Sequence, residues 1–195
     1  MTKLHSLLAD EIVKNQNIKD ILIKGISCDS RRIKKNYIFA AFCGEKVDGI
    51  NFINEAINNG AVAVIIDSKT FKNINKNLKI EFIIHKVPRK IYAIICNKLS
   101  SYKFKNLIGV TGTNGKTSVA WYVHQFSKFS DSKTASIGTL GTISKSFIKN
   151  NTLTTPESEI LVSSLDKLYF KNIKNVIIEA SSHGMSTGIV MKSLL

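Results

Sequence analysis

Cysteine is scarce in this chain. Cys28, Cys43 and Cys96 are the only three in 195 residues, an odd number with no CxxC pair. That excludes a disulfide-rich secreted scaffold and a CxxC redox or zinc motif, and predicts reduced thiols in a cytoplasmic protein. The N-terminal stretch MTKLHSLLADEIVKN holds only a short apolar run, broken by charges, and does not read as a signal peptide. No segment approaches the roughly 18 apolar residues of a bilayer span, so membrane insertion is not expected. Histidine is sparse too: His5, His85, His124 and His183 lie far apart, without metal-ligand spacing. Acidic residues are few, 14 against 28 basic ones, for a formal charge of +14. Yet no basic run reaches five residues and no aromatic-basic RNA-binding signature occurs, so nucleic acid is not the expected partner. The lysines read as solvated faces that favour an anionic substrate. Internal repeats and low-complexity tracts are absent as well.

What is present is a chain long enough for one large domain or two modest ones, with an ordinary hydrophobic content of 44%. The first hundred residues alternate short strands and helices. IKGISCDSR and NYIFAAFCG are strand-like, and GINFINEAINNG reads as a helix with Phe52, Ile53, Ala56 and Ile57 on one face and Gly60 as its stop. AVAVIID and IEFIIHKV have the continuous apolar character of buried parallel strands, and Pro88 opens a helix. The composition turns polar near SSYKFKN, which places a boundary between domains 1–103 and 104–195. Beyond it, NLIGVTG reads as a buried strand. VAWYVHQFSKF is a helix with Val119, Tyr122, Val123 and Phe126 at helical spacing. KTASIGTLGT supplies a strand and a glycine-containing loop. TPESEILVSSLDKLYFKN is a helix burying Ile160, Leu161, Leu165 and Leu168, and NVIIEASSHG is an apolar strand ending on Glu179. The fold class is therefore α/β, with parallel sheets and helices on their faces.

The stretch Gly109-Val-Thr-Gly-Thr-Asn-Gly-Lys-Thr-Ser118 joins such a strand to such a helix. A glycine-rich turn there exposes backbone N–H groups at a helix N-terminus, where they and the helix dipole attract phosphate oxygens. Gly112, Thr113, Asn114, Gly115, Lys116, Thr117 and Ser118 are the candidate nucleotide-binding residues, with the Lys116 ammonium placed for terminal phosphates and the Thr117 hydroxyl for Mg²⁺. The strict pattern G-x4-G-K-[ST] asks for glycine at position 110, where this chain has Val110, so the loop is a variant. Glu179, at the end of a strand, is a second candidate for holding Mg²⁺, or simply a solvated strand-end acid. Lys116 and Glu179 are the candidate catalytic residues.

Four segments in order, CDSR (28–31), GTNGKTS (112–118), LTTPES (153–158) and EASSHG (179–184), resemble the Mur ligases, in particular their tripeptide-synthetase (MurE) type. The resemblance implies a small N-terminal α/β domain for a UDP-muramoyl substrate, followed by a partial P-loop central domain. It also implies an ATP- and Mg²⁺-dependent ligase of peptidoglycan synthesis. Such an enzyme would phosphorylate the D-Glu carboxylate of UDP-N-acetylmuramoyl-L-Ala-D-Glu. The amine of meso-diaminopimelate or L-lysine would then attack the acyl phosphate. The logic is chemical, since a carboxylate is a poor electrophile until it carries a leaving group, and charge on the phosphates must be neutralised. By the same resemblance the loop from Gly112 to Ser118 would hold ATP, and Cys28 and Ser30, with Glu45, Lys46 and Val47, would contact the uridine-diphosphate part. Leu153, Thr154, Thr155 and Ser181 would contact the muramoyl-dipeptide. Ser30 equally suits a turn cap beside Asp29, and Thr154 and Thr155 suit a helix cap before Pro156. His183 reads as a packing residue. A monomer is expected.

The chain departs from the family after SSHG. Thr187 and Ile189 stand where a Gln and an Arg that reach substrate are usual, and the family's later central and C-terminal elements have no counterpart before Leu195. A truncated or frameshifted reading frame is the expectation, with no amide ligation by these 195 residues alone, weak nucleotide binding and an exposed apolar sheet edge. The other readings are a stand-alone P-loop NTPase or kinase, and a non-catalytic remnant.

Overall fold

The hexapeptide Ala61–Ile66 is buried along almost its whole length, as a strand covered by helices on both faces must be. In the computed structural model of this chain it belongs to the first of two units, Met1–Leu99 and Ser100–Leu195. The structure describes residues 1–42, 48–72, 74, 78–130, 133–145, 147–149 and 157–181.

The first unit runs β1 (Thr2–Lys3), α1 (Leu4–Leu7), α2 (Asp10–Gln16), β2 (Leu22–Ile23), β3 (Gly25–Ser27), β4 (Tyr37–Ala40), α3 (Ile53–Asn58), β5 (Ala61–Ile66), α4 (Ser68–Phe71), β6 (Glu81–Ile84) and α5 (Pro88–Lys98). Single 3₁₀ turns at Ser30–Arg32 and Gly49–Phe52 follow β3 and precede α3. Strands β3, β4, β5 and β6 form a parallel sheet in that order, and β1 pairs with β2 in a separate antiparallel ladder. Strand periodicity sorts the side chains. Phe39, Val64 and Ile66 pack with Ile53 and Ala56 of α3 and with Ile33. Ile38, Ala63, Ile65 and Ile83 are also fully buried, and α5, which lies against β3, β4 and β5, buries Ile91, Tyr92, Ile95 and Cys96. Pro88 sits in the first turn of α5, where its missing N–H costs nothing. Gly60 ends α3 with φ +104°, against the backbone of Lys35, so a side chain is excluded there twice over.

The second unit runs β7 (Asn106–Val110), α6 (Lys116–Ser130), β8 (Thr134–Gly138), β9 (Gly141–Ser144), β10 (Phe147–Lys149), α7 (Ser158–Phe170) and β11 (Asn175–Glu179). Its sheet has the order β10-β9-β8-β11-β7, with β8, β11 and β7 parallel and β9 and β10 antiparallel. Leu161, Leu165 and Leu168 of α7 pack on Ala135, Ile137, Val176 and Ile178, while α6 lies against β8 and β11. No helix among the described residues is long and apolar enough to cross a membrane.

Three sequence expectations need correction. The apolar residues of α6 do not mark its buried face: Val119, Tyr122 and Phe126 are exposed, and Ala120 and His124 are the buried ones. Thr117, three and seven positions before these two, turns toward the sheet to reach Glu179, and that contact fixes the rotation of the whole helix. Ile160 is largely exposed, and Val162 takes the buried place beside Leu161. Finally, β7 pairs only with β11 among the described residues. Its Ile108 is 40% exposed, because an edge strand lacks a neighbour on one side.

Candidate functional site

Three parallel strands bring the described candidate residues of the second unit to one edge of the sheet. β7 and β11 run in register from Asn106↔Asn175 to Val110↔Glu179, and Ile137 of β8 pairs with Ile178 on the other side of β11. The loop after Val110, the residue Glu179 and the Gly138-Thr139 turn after β8 are thus adjacent, at the carboxyl end where open α/β sheets hold ligands. The Ala180 N–H donates to the Val110 carbonyl at 2.8 Å, closing the β7–β11 ladder just below the loop.

The loop is built as its sequence predicts. Gly115 takes φ +76°, a left-handed conformation that disfavours any side chain, and its carbonyl accepts from the Val119 N–H at 2.9 Å as the first bond of α6. Thr111–Gly115 are exposed. Lys116 folds back over the loop, its Nζ donating to the carbonyls of Gly112 at 2.8 Å and Thr113 at 3.2 Å. Ser118 points to solvent at the start of the helix.

Glu179 is only 3% exposed, and its carboxylate accepts hydrogen bonds from two threonines. The Thr117 hydroxyl donates to Oε2 at 2.9 Å, the Thr139 hydroxyl to the same oxygen at 3.1 Å, and the Thr139 N–H to Oε1 at 3.1 Å. A buried carboxylate needs such partners, and here they orient it toward the start of α6. Gly138 makes room for it, since a Cβ at that position would run into the Glu179 carboxyl group. Sequence reasoning found Thr117 and Glu179 and missed Gly138 and Thr139. Their signal was positional, a small residue and a hydroxyl at the end of the buried strand beside β11. Ser181 lies two residues past the end of β11 and is half-buried. Hard oxygen donors at the head of a glycine loop fit Mg²⁺, which takes few protein ligands beside phosphate and water. Among the described residues no group of three His, Cys, Asp or Glu side chains could hold a metal.

The first unit holds a separate cleft of about 390 Å³, lined by Cys28, Asp29, Ser30, Arg31, Phe52 and Glu55. It lies where β3 ends. Asp29 caps the 3₁₀ turn by accepting from the Arg31 N–H at 3.1 Å, and its carboxylate grips the Arg31 guanidinium at 2.9 and 2.8 Å. Those hydrogen bonds hold the Asp29 carboxyl below the usual carboxylate range. Cys28 is half-buried, with the Tyr92 hydroxyl 3.8 Å from its sulfur. Ser30 donates to Glu55 Oε2 at 2.7 Å. It does not cap the turn, the alternative the sequence left open, because Asp29 does. Glu45, Lys46, Val47, Leu153, Thr154, Thr155 and His183 lie outside the described residues.

Residues 22–97 match the model of the Mur ligase family, catalytic domain, and residues 110–194 match the Mur ligase middle domain. The UDP-N-acetylmuramoyl-L-alanyl-D-glutamate–2,6-diaminopimelate ligase of Rickettsia prowazekii is 38% identical over 188 residues, covering 92% of this chain and 37% of that protein. The protein of the same name from Zymomonas mobilis is 38% identical over 170 residues, 86% of this chain and 33% of its own length. A solved structure of a ligase with that name has the same fold, with a TM-score of 0.68 at 23% identity over 92% of this chain and 37% of the other. The chain thus spans about a third of the length of the curated relatives it matches.

Proposed function

Because the chain belongs to the Mur ligase family, we propose that it carries the UDP-substrate and ATP-binding portions of a ligase that extends UDP-N-acetylmuramoyl-L-Ala-D-Glu by one amino acid through an acyl phosphate. The names of the relatives favour 2,6-diaminopimelate as that amino acid. In this reading residues 1–103 serve the UDP-muramoyl substrate and residues 104–195 serve ATP. The observation that carries it is the convergence of the phosphate loop, Thr117 at the start of α6 and the buried Glu179 at the adjacent ends of β7 and β11.

Each residue then has a task. The N–H groups of Gly112–Ser118 and the N-terminus of α6 cradle phosphate oxygens. Lys116 exchanges its two loop carbonyls for the terminal phosphates. Thr117 and Glu179 would hold Mg²⁺, whose charge eases the approach of an anionic carboxylate to an anionic phosphate. Thr139 keeps the Glu179 carboxylate aimed. Cys28 and Ser30 contact the uridine-diphosphate part, together with Glu45, Lys46 and Val47. Leu153, Thr154, Thr155 and Ser181 contact the muramoyl-dipeptide. A stand-alone P-loop NTPase or kinase is not favoured, since it has no use for a Mur-type domain over residues 22–97 ahead of the loop.

Calorimetric titration of the chain with Mg-ATP tests this. Binding that Lys116→Ala abolishes supports it, and affinity retained in that variant means the loop serves something else.

A further inference from the structure

The cleft at the end of β3 contains a hydrogen bond whose direction has a consequence for ligand recognition. A serine hydroxyl has one proton to give and two lone pairs to offer. The Ser30 proton goes to Glu55 Oε2 at 2.7 Å, and Ser30 itself is only 5% exposed, so the hydroxyl is not free to rotate into solvent. Its backbone is held from the same helix, with Asn59 Nδ2 donating to the Ser30 carbonyl at 2.9 Å. Glu55 in the first turn of α3 and Asn59, which caps its C-terminal end, thus hold the side chain and the backbone of one serine. Toward the cleft, Ser30 Oγ has only acceptor capacity left.

The charges around it point the same way. Of the lining residues, Asp29 and Glu55 are acidic and Arg31 is basic. The guanidinium of Arg31 is engaged in two hydrogen bonds with Asp29. The lining side chains therefore sum to one net negative charge, with the Arg31 charge acting on Glu55 as well as on Asp29, and this is an unfavourable neighbour for a diphosphate. Phe52, 37% exposed on the same wall, offers an aromatic surface suited to a planar ring.

We infer that Glu55 is the positioning residue of this cleft. By taking the Ser30 proton it fixes Ser30 Oγ as an acceptor, so the cleft receives the uncharged nucleoside end of a nucleotide-sugar through an N–H or O–H donor, with the diphosphate outside. This rests on the UDP-substrate reading of the first unit and adds to it a residue, a polarity and an orientation.

Titration of the 195-residue chain with UDP tests it, alongside Glu55→Ala, Glu55→Gln, Ser30→Ala and the Ser30→Ala/Glu55→Ala double variant. Glu55→Ala is expected to weaken UDP about five- to tenfold, the worth of one oriented hydrogen bond. Glu55→Gln, whose amide oxygen still accepts the proton, should stay within about twofold of wild type. The double variant should bind uridine no more weakly than Ser30→Ala alone, because Glu55 reaches the uncharged nucleoside only through Ser30. Uridine, followed by ligand-observed NMR, should show the same Glu55→Ala penalty. N3-methyl-UDP loses that same factor if the donor is the ring imide, and 2′- or 3′-deoxy-UDP if it is a ribose hydroxyl.

Additive losses in the double variant, a penalty seen with UDP but not with uridine, or full affinity in all three analogues would each overturn the assignment. Circular dichroism melts check folding, and Glu55→Asp, one methylene too short to reach, replaces Glu55→Ala if that variant does not fold. Wild-type chain that binds neither UDP nor uridine removes the UDP reading and this role together. Wild-type binding that Glu55→Ala leaves unchanged removes this role alone.

Discussion

Thr117 on the first turn of α6 and Glu179 at the end of β11 are 62 residues apart in sequence and joined by a 2.9 Å hydrogen bond from hydroxyl to carboxylate. The bond lies where the phosphate loop meets the sheet, and it couples nucleotide chemistry to the packing of a helix. Thr117→Val should therefore have two effects. Removing one donor from a buried carboxylate should cost about 1–2 kcal/mol of stability in urea denaturation. It should also remove the Mg²⁺ dependence of nucleotide binding, so that affinity with and without EDTA becomes the same. Thr117→Ser should keep both properties. A valine variant whose ATP affinity still collapses on chelation would show that this hydroxyl is not a metal ligand.

Gly138 and Glu179 are neighbours across β8 and β11, and the space belongs to the carboxylate. Gly138→Ala should displace it and cost about 1–3 kcal/mol, the usual range for overpacking. The diagnostic measurement is the pair with Glu179→Ala. Shortening the acid removes the clash, so the added cost of Gly138→Ala should nearly vanish in that background. Equal costs in both backgrounds would mean that the glycine serves the strand and not the acid.

The contrast between these two positions shows what the sequence made legible. Thr117 and Glu179 stand out because a phosphate loop and a strand-end acid have local patterns. Gly138 and Thr139 have none until β8 is known to lie beside β11, an adjacency that joins segments 40 residues apart. The parallel strands were readable because double coverage leaves continuous apolar runs such as AVAVII. Apolar character alone does not separate NLIGV from these, since an edge strand can be just as apolar as a central one. The orientation of α6 does not follow its large side chains, since Tyr122 and Phe126 are exposed while Ala120 and His124 line the buried face. Close helix-to-sheet approach favours small residues, and Thr117 had already fixed the rotation.

That exposed face yields a prediction of its own. Phe126 is 69% and Phe129 89% exposed, so replacing both by serine removes little buried area. Stability should change by less than about 0.5 kcal/mol, as for ordinary surface substitutions. Light scattering at high protein concentration should fall, because the variant presents less apolar surface to other copies. A loss of several degrees in melting temperature would show that the two rings are covered in solution.

His124 lies on the opposite side of the same helix with 0% exposure, and neither ring nitrogen has a hydrogen-bond partner of good geometry among the described residues. Burial lowers its pKa below the ordinary 6.5, the charge of Lys128 adds to this, and only the nearby Ala135 backbone opposes it. The sign of the linkage follows from that direction. Above pH 6.5 the imidazole is neutral in both folded and unfolded chains, and it contributes no pH dependence. Below 6.5 the unfolded chain takes up the proton first. Stability therefore falls by up to about 1.4 kcal/mol per pH unit, until the folded histidine protonates as well. Urea midpoints between pH 7.5 and about 5 should reveal this slope, and His124→Leu should remove that component. Trp121, stacked on the ring at 6.1 Å between centroids, supplies a fluorescence reporter beside the group. A leucine variant with the wild-type slope would mean that folding does not shift the imidazole pKa, and that α6 does not hold this ring in a dry, neutral contact with the sheet.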